Sequence, residues 1–194
     1  MPRLSNWFFI LIFSLGFYTS FTPEAKAQPE VRSIDELTSN WSDENGKTIQ
    51  LAQFKGKPLF LTMAYTSCKM SCPTMVRTLK KVSQDLAKKN IHPNFVIITF
   101  DPKTDTSKRL SSFKHQWELP EETWHFLTGN TSDTESVRKF LDFKIVYDKI
   151  DNHYTHDKKI FIFNKEGKMI KTFEDWDSDF STVLTENELK GNST

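Results

Sequence analysis

The sequence predicts one α/β domain: a central mixed sheet flanked by helices, with a β-hairpin extension ahead of it. Three observations carry this. Two continuous apolar runs, 58–65 and 94–100, have the length and lack of alternation of strands buried on both faces. Between them, 73–89 places Val76, Leu79, Val82 and Leu86 at helical spacing. A strand, helix and strand in that order close as a right-handed unit with parallel strands. Near the C-terminus, 159–163 and 168–173 flank Asn164-Lys-Glu-Gly167, the pattern of an antiparallel hairpin.

Positions 1–27 stand apart from that domain. Arg3 supplies a positive start, Trp7 to Tyr18 is a short apolar core, and Ala25-Lys-Ala27 has the small-x-small pattern of a cleavage site. This reads as a signal peptide, with retention as an N-terminal membrane segment as the alternative. The apolar stretch ends by Phe21, short of the roughly 20 residues that span a bilayer. The mature chain is expected to begin at Gln28 and to work outside the cytoplasm, periplasmic or membrane-anchored and facing the periplasm. Removing 1–27 takes Arg3, Lys26 and Glu24 from 26 basic and 25 acidic side chains, leaving 24 of each. No basic patch stands out, which argues against a nucleic-acid partner.

The remaining elements follow in order. Positions 28–40 are polar and read as a flexible lead-in, with a turn of helix at 33–37. The domain proper is expected over 41–190. Within 41–51, Asn45-Gly46 signals a two-residue hairpin turn. Phe54 to Pro58 is a second turn feeding the first core strand. Pro73 suits the first turn of the helix that follows, and 90–93 ends it. Asp101-Pro102 closes the second strand, and Thr104 or Asp105 is the expected cap of a helix running to about Trp117. Positions 121–126 are ambiguous. A helix over 131–141 would take Thr131 or Ser132 as cap and Glu135 as reciprocal partner. A short strand at 143–147, a polar loop over 148–157, the hairpin, a helix over 177–189 and a frayed tail at 191–194 complete the chain. That order is thioredoxin-like.

The chemistry concentrates at Cys68 and Cys72, the chain's two cysteines, where a strand hands over to a helix. The positive end of the helix favours thiolate over thiol. Residues i and i+4 share one helix face with β-carbons about 5–6 Å apart, which suits two thiolates on one metal ion and also permits a disulfide. A pair that cycles between dithiol and disulfide, or that holds metal when reduced, fits better than a structural staple, because closing so short a loop stabilises little.

In a thioredoxin-like fold the loop entering the third core strand lies beside the cysteines, and in thioredoxins it carries a cis-proline. Here the last proline is Pro120, and that loop reads Asn152-His-Tyr-Thr-His156-Asp157. His156, four residues before the strand, is the favoured third ligand; His153 is an alternative or an exposed residue. His92, His115 and His125 are expected on the solvated surface. Two thiolates and an imidazole form a soft set suited to Cu(I), and with a further ligand to Cu(II); zinc would want a fourth ligand that the sequence does not offer. Met70 could add a thioether, whereas Met63 reads as core. Asp101 reads as a strand end and Asp105 as a cap, with support of the site or partner docking as the functional alternative. Trp117, Trp124 and Trp176 read as core or boundary aromatics.

Taken together, Tyr65-Thr-Ser-Cys68-Lys-Met-Ser-Cys72-Pro73, Phe100-Asp101-Pro102-Lys-Thr-Asp105-Thr106 and His156 resemble the Sco/SenC family, over about 41–173. The resemblance implies copper ligands Cys68, Cys72 and His156. It also implies delivery of copper to the CuA centre of cytochrome c oxidase subunit II, or to another exported copper protein, or reduction of that site's cysteines beforehand. Lys69 departs from the proline or acidic residue common in the family. The competing function is a thiol–disulfide oxidoreductase, with Cys68 attacking a partner disulfide and Cys72 resolving it. A peroxidase is disfavoured, since no threonine–proline–cysteine approach is present.

Overall fold

The computed structural model describes residues 31–68, 71–150, 153–176 and 185–190. The strands are β1 (Asn40–Ser42), β2 (Thr48–Gln50), β3 (Leu59–Ala64), β4 (Asn94–Thr99), β5 (Trp124–Leu127), β6 (Ile145–Asp148), β7 (His153–His156), β8 (Ile160–Phe163) and β9 (Met169–Phe173). The helices are α1 (Ser71–Ala87), α2 (Ser107–Gln116), α3 (Thr131–Phe140) and α4 (Glu186–Lys190).

Five strands form the central sheet in the order β5-β4-β3-β8-β9. β3 runs parallel to β4 and β4 to β5, while β8 joins β3, and β9 joins β8, antiparallel. This is the mixed sheet of a thioredoxin-like fold. Every residue of β3, β4 and β8 is buried, which explains their unbroken apolar runs. α1 lays Met75, Val76, Leu79, Val82 and Leu86 into the core; each such side chain contributes about 1.5–3 kcal/mol on burial. It ends where Asn90 turns left-handed (φ 56°) and the Ile91 N–H donates back to the Leu86 carbonyl at 3.0 Å.

β1 and β2 form the expected hairpin, but the connection is the five residues 43–47 rather than a two-residue turn. Asp43 organises it by accepting from the backbone N–H groups of Asn45 (2.9 Å) and Lys47 (2.7 Å). The hairpin is bridged to the end of β5 through Ser42 and Thr128. Trp41 packs there against Gly129, where a β-carbon would come within 2.8 Å of the indole.

The lead-in is packed closer than expected. A 3-10 turn, Ile34–Glu36, is closed by a capping box from Ser33, and the Ile34 N–H donates to the Gly167 carbonyl at 2.8 Å. Ile34 and Leu37 are buried. The chain is therefore held from about Arg32, whose carbonyl accepts from Met169, not from position 41.

Two expected caps move by one or two residues. Thr106 caps α2 through the Arg109 N–H, and Asn130 caps α3 through the Asp133 N–H; Glu135 pairs with Arg138 instead of reaching back. The ambiguous stretch at 121–126 yields β5. The stretch read as the polar loop 148–157 contains a strand, β7, which pairs with β6 in a separate two-stranded ribbon. The final helix is described over Glu186–Lys190, preceded by the non-helical Thr185; positions 177–184 of the expected 177–189 helix, with the segment 1–27, lie outside the described residues. No helix among the described residues is long and apolar enough to cross a membrane.

Candidate metal and thiol site

β3 ends at Ala64, and four residues, Tyr65 to Cys68, follow it toward α1. Cys68 and Cys72 are both buried and not joined by a disulfide. The Cys72 thiol donates to the Tyr65 carbonyl at 3.1 Å. Its pKa is pushed up, first by the side-chain hydrogen bond with Cys68 and then by burial. The helix start was expected to favour thiolate; for Cys72 the neighbouring sulfur and the apolar surroundings win. The two sulfurs are thus brought together.

His156 stands at the end of β7, half-buried among aromatic rings. Its imidazole lies 5.1 Å from the Phe100 ring, 5.8 Å from Trp176, 5.9 Å from Tyr65 and 6.1 Å from Phe143. Nδ1 is 2.6 Å from the Asp157 carbonyl. A carbonyl only accepts, so Nδ1 carries the proton and Nε2 keeps the lone pair a metal would use. His153 is exposed, and its Nδ1 lies 3.0 Å from the Tyr65 hydroxyl. Tyr65 therefore touches Cys72 with its backbone and both histidines with its ring. Its own pKa is pushed up to about 12, chiefly by burial and then by charge on Cys68.

Among the described residues no three His, Cys, Asp or Glu side chains form a group that could hold a metal ion. The Cys72 thiol meets the Tyr65 backbone, the Tyr65 side chain reaches Cys68, and His156 lies against the Tyr65 ring. Lys69 and Met70 are outside the described residues. All described peptide bonds are trans.

Asp105 is the main correction to the sequence reading. It does not cap α2. It is fully buried and accepts from the Thr66 backbone N–H at 2.9 Å, from the Thr66 hydroxyl, and from the Thr99 hydroxyl at 2.7 Å. It ties the residues before Cys68 to the end of β4. The neighbouring Arg109, which the sequence did not single out, extends the same network. Asp101 is half-buried; its backbone N–H donates to Thr99, and its charge helps raise the Tyr154 pKa after burial. Met63, Trp124 and Trp176 are core, as read. His125 is not solvated: it sits half-buried in β5 against the Phe54 ring at 4.8 Å.

The fold and these contacts define a thioredoxin-like domain with a close dithiol and an aromatic-lined histidine beside it. The SCO1/SenC family model matches residues 36–186, and the chain belongs to that family. It is 24% identical over 135 residues to the SCO1 protein homolog of Bacillus subtilis, covering 69% of this chain and 70% of that one. Among solved structures it resembles Arabidopsis thaliana ScoI, determined with copper bound, with a TM-score of 0.66 and 20% identity, covering 74% of this chain and 92% of that chain. It also resembles BsSco, described as having a disulfide switch and as a member of the Sco family of cytochrome c oxidase assembly proteins. That likeness has a TM-score of 0.67 and 22% identity, covering 80% and 91% of the two chains.

Proposed function

We propose that this chain is an exported copper metallochaperone that holds one copper ion as cargo through Cys68, Cys72 and Nε2 of His156. It would support maturation of the CuA centre of cytochrome c oxidase, with oxidase subunit II or another exported copper protein as recipient. The observation that carries this reading is the pairing of two adjacent buried sulfurs with an imidazole whose Nδ1 is already tied to the Asp157 carbonyl. The donor set is soft and suits Cu(I), and the imidazole is half-buried among aromatic rings. The copper-bound Sco structure supports the same cargo, and positions 1–27 support export, to the periplasm or to its membrane face.

The test is an anaerobic Cu(I) titration of the reduced protein against a chelator of known affinity. One copper per chain is expected, abolished by Cys68→Ala or Cys72→Ala and weakened about 10–100-fold by His156→Ala. Binding as weak in the wild type as in the cysteine variants would overturn the chaperone reading.

A second reading is thiol–disulfide exchange, favoured by the direct interaction of the two sulfurs. The Cys68 thiolate would attack a partner disulfide and release one partner thiolate, which takes up a proton. Cys72, giving its proton to that released thiolate, would then attack the mixed disulfide and release the second. The partner disulfide gains two electrons and the Cys68–Cys72 pair loses them. Reduction of an oxidised CuA-type dithiol site by the metal-depleted protein would establish this activity.

A further inference from the structure

Arg109 sits one turn into α2, half exposed, on the solvent side of the cysteine segment. Its Nε donates to the Thr66 hydroxyl at 2.6 Å and its Nη2 to the Ser67 hydroxyl at 3.0 Å. Nε also lies 3.5 Å from the Asp105 carboxylate. The Thr66 hydroxyl accepts from the guanidinium and donates to Asp105, so it stands between a fixed anion and a fixed cation. Thr66 and Ser67 are the two residues immediately before Cys68. Ser67 is exposed, so burial does not order it. The planar fork of an arginine can hold two acceptors at a set separation, which an ammonium cannot.

We infer that Arg109 is a positioning residue for Cys68: by bridging the Thr66 and Ser67 hydroxyls it locks the backbone from which the sulfur departs to the first turns of α2. The cysteine end of the site is then one body with α2 and β4, and it keeps its sulfur in place while the histidine end moves. The link to copper rests on the proposed function above; the clamp itself does not.

The test measures amide hydrogen exchange at Thr66 and Cys68 in the reduced chain. The Thr66 N–H donates to Asp105 and the Cys68 N–H to the Tyr65 carbonyl at 3.2 Å, so both report local opening. Arg109→Ala is expected to lower protection at both amides about tenfold. Its Tm should stay within about 3 °C of wild type, because the guanidinium is half exposed, its contact with Asp105 is long at 3.5 Å, and the carboxylate keeps its other hydrogen bonds. Arg109→Lys should recover part of the protection, since one ammonium reaches one hydroxyl. Thr66→Val should reproduce the loss, and adding Arg109→Ala to it should lower protection at Cys68 little further. Unchanged protection in Arg109→Ala overturns the clamp. The copper arm separates the two ideas: competition titration should show affinity falling about tenfold with Arg109→Ala, the usual scale for a group that orients a ligand. Lost protection with no copper binding even in the wild type would sink the copper reading and leave the clamp standing. Lost protection with wild-type affinity would overturn the role in holding Cys68 for the metal.

Discussion

The two ends of the site are built differently. Cys68 and Cys72 are held between β3 and α1, and the segment before Cys68 is fixed by a fully buried carboxylate with three hydrogen bonds. His156 belongs to a two-stranded ribbon with no ladder to the central sheet among the described residues. The ribbon and its turn carry Val146, Tyr147 and Ile150, three of the four large apolar side chains exposed among the described residues. The ribbon meets the rest of the domain mainly through ring contacts, with one side-chain hydrogen bond between His153 and the Tyr65 hydroxyl, whereas the cysteine end is held by a network of hydrogen bonds on a buried carboxylate. A chaperone that must take up and release cargo benefits from that asymmetry: one end keeps two ligands fixed, and the other supplies a third that can come and go.

Three substitutions test this contrast, in falling order of effect. Asp105→Ala removes the acceptor for the Thr66 N–H and the Thr99 hydroxyl and leaves both buried donors unpaired. It should lower stability by about 3 kcal/mol, read as a lower urea midpoint at unchanged m-value. A loss below about 1 kcal/mol would mean the cysteine end is not fixed in this way. Tyr154→Ala removes ring contacts to Tyr65 at 5.2 Å, Phe100 at 5.4 Å and Tyr147 at 4.9 Å. Its expected cost is about 1–2 kcal/mol, with faster exchange confined to the amides of β6 and β7. If the protection of β3 fell equally, the two ends would be one unit and the contrast would fail. Val146→Ser, at a residue 65% exposed, should change stability by less than about 0.5 kcal/mol; a larger loss would show the ribbon face to be covered.

Much of this architecture was legible because continuous apolar runs leave little choice of element. β3, α1, β4, β8 and β9 were all readable on those grounds, as was the cysteine pair at the strand–helix junction. β7 was not, since His-Tyr-Thr-His is polar and its strand state depends on pairing with β6 rather than on burial of a face. β5 is four residues long and preceded by Pro120 to Thr123, so no periodicity develops. Asp105 was misread for a different reason. Thr104-Asp-Thr106 offers three capping side chains in a row, and only contact with Thr66, 39 positions away, shows that Thr106 takes the cap while Asp105 turns inward. For Arg109 the sequence offered only its i,i+4 spacing from Asp105, because its hydrogen-bond partners are the hydroxyls of a different loop.

The smallest expected effect guards the comparison against a false reading near neutral pH. The central sheet holds a histidine of its own, His125, whose surroundings differ from those of the ribbon. His125 lies in β5, where burial pushes its pKa below the ordinary 6.5, opposed by the charge of Glu44. The folded state then binds a proton at His125 less readily than the unfolded chain does. Stability from this group is complete above about pH 6.5 and is lost as the pH falls through the window beneath it, where the unfolded chain is protonated first. Urea midpoints between pH 8 and pH 5 should therefore fall less in His125→Gln than in the wild type. An equal fall in His125→Gln and in the wild type would sink the assignment of the acid-side loss to the buried imidazole of β5, and the acid response would have to be sought outside the central sheet.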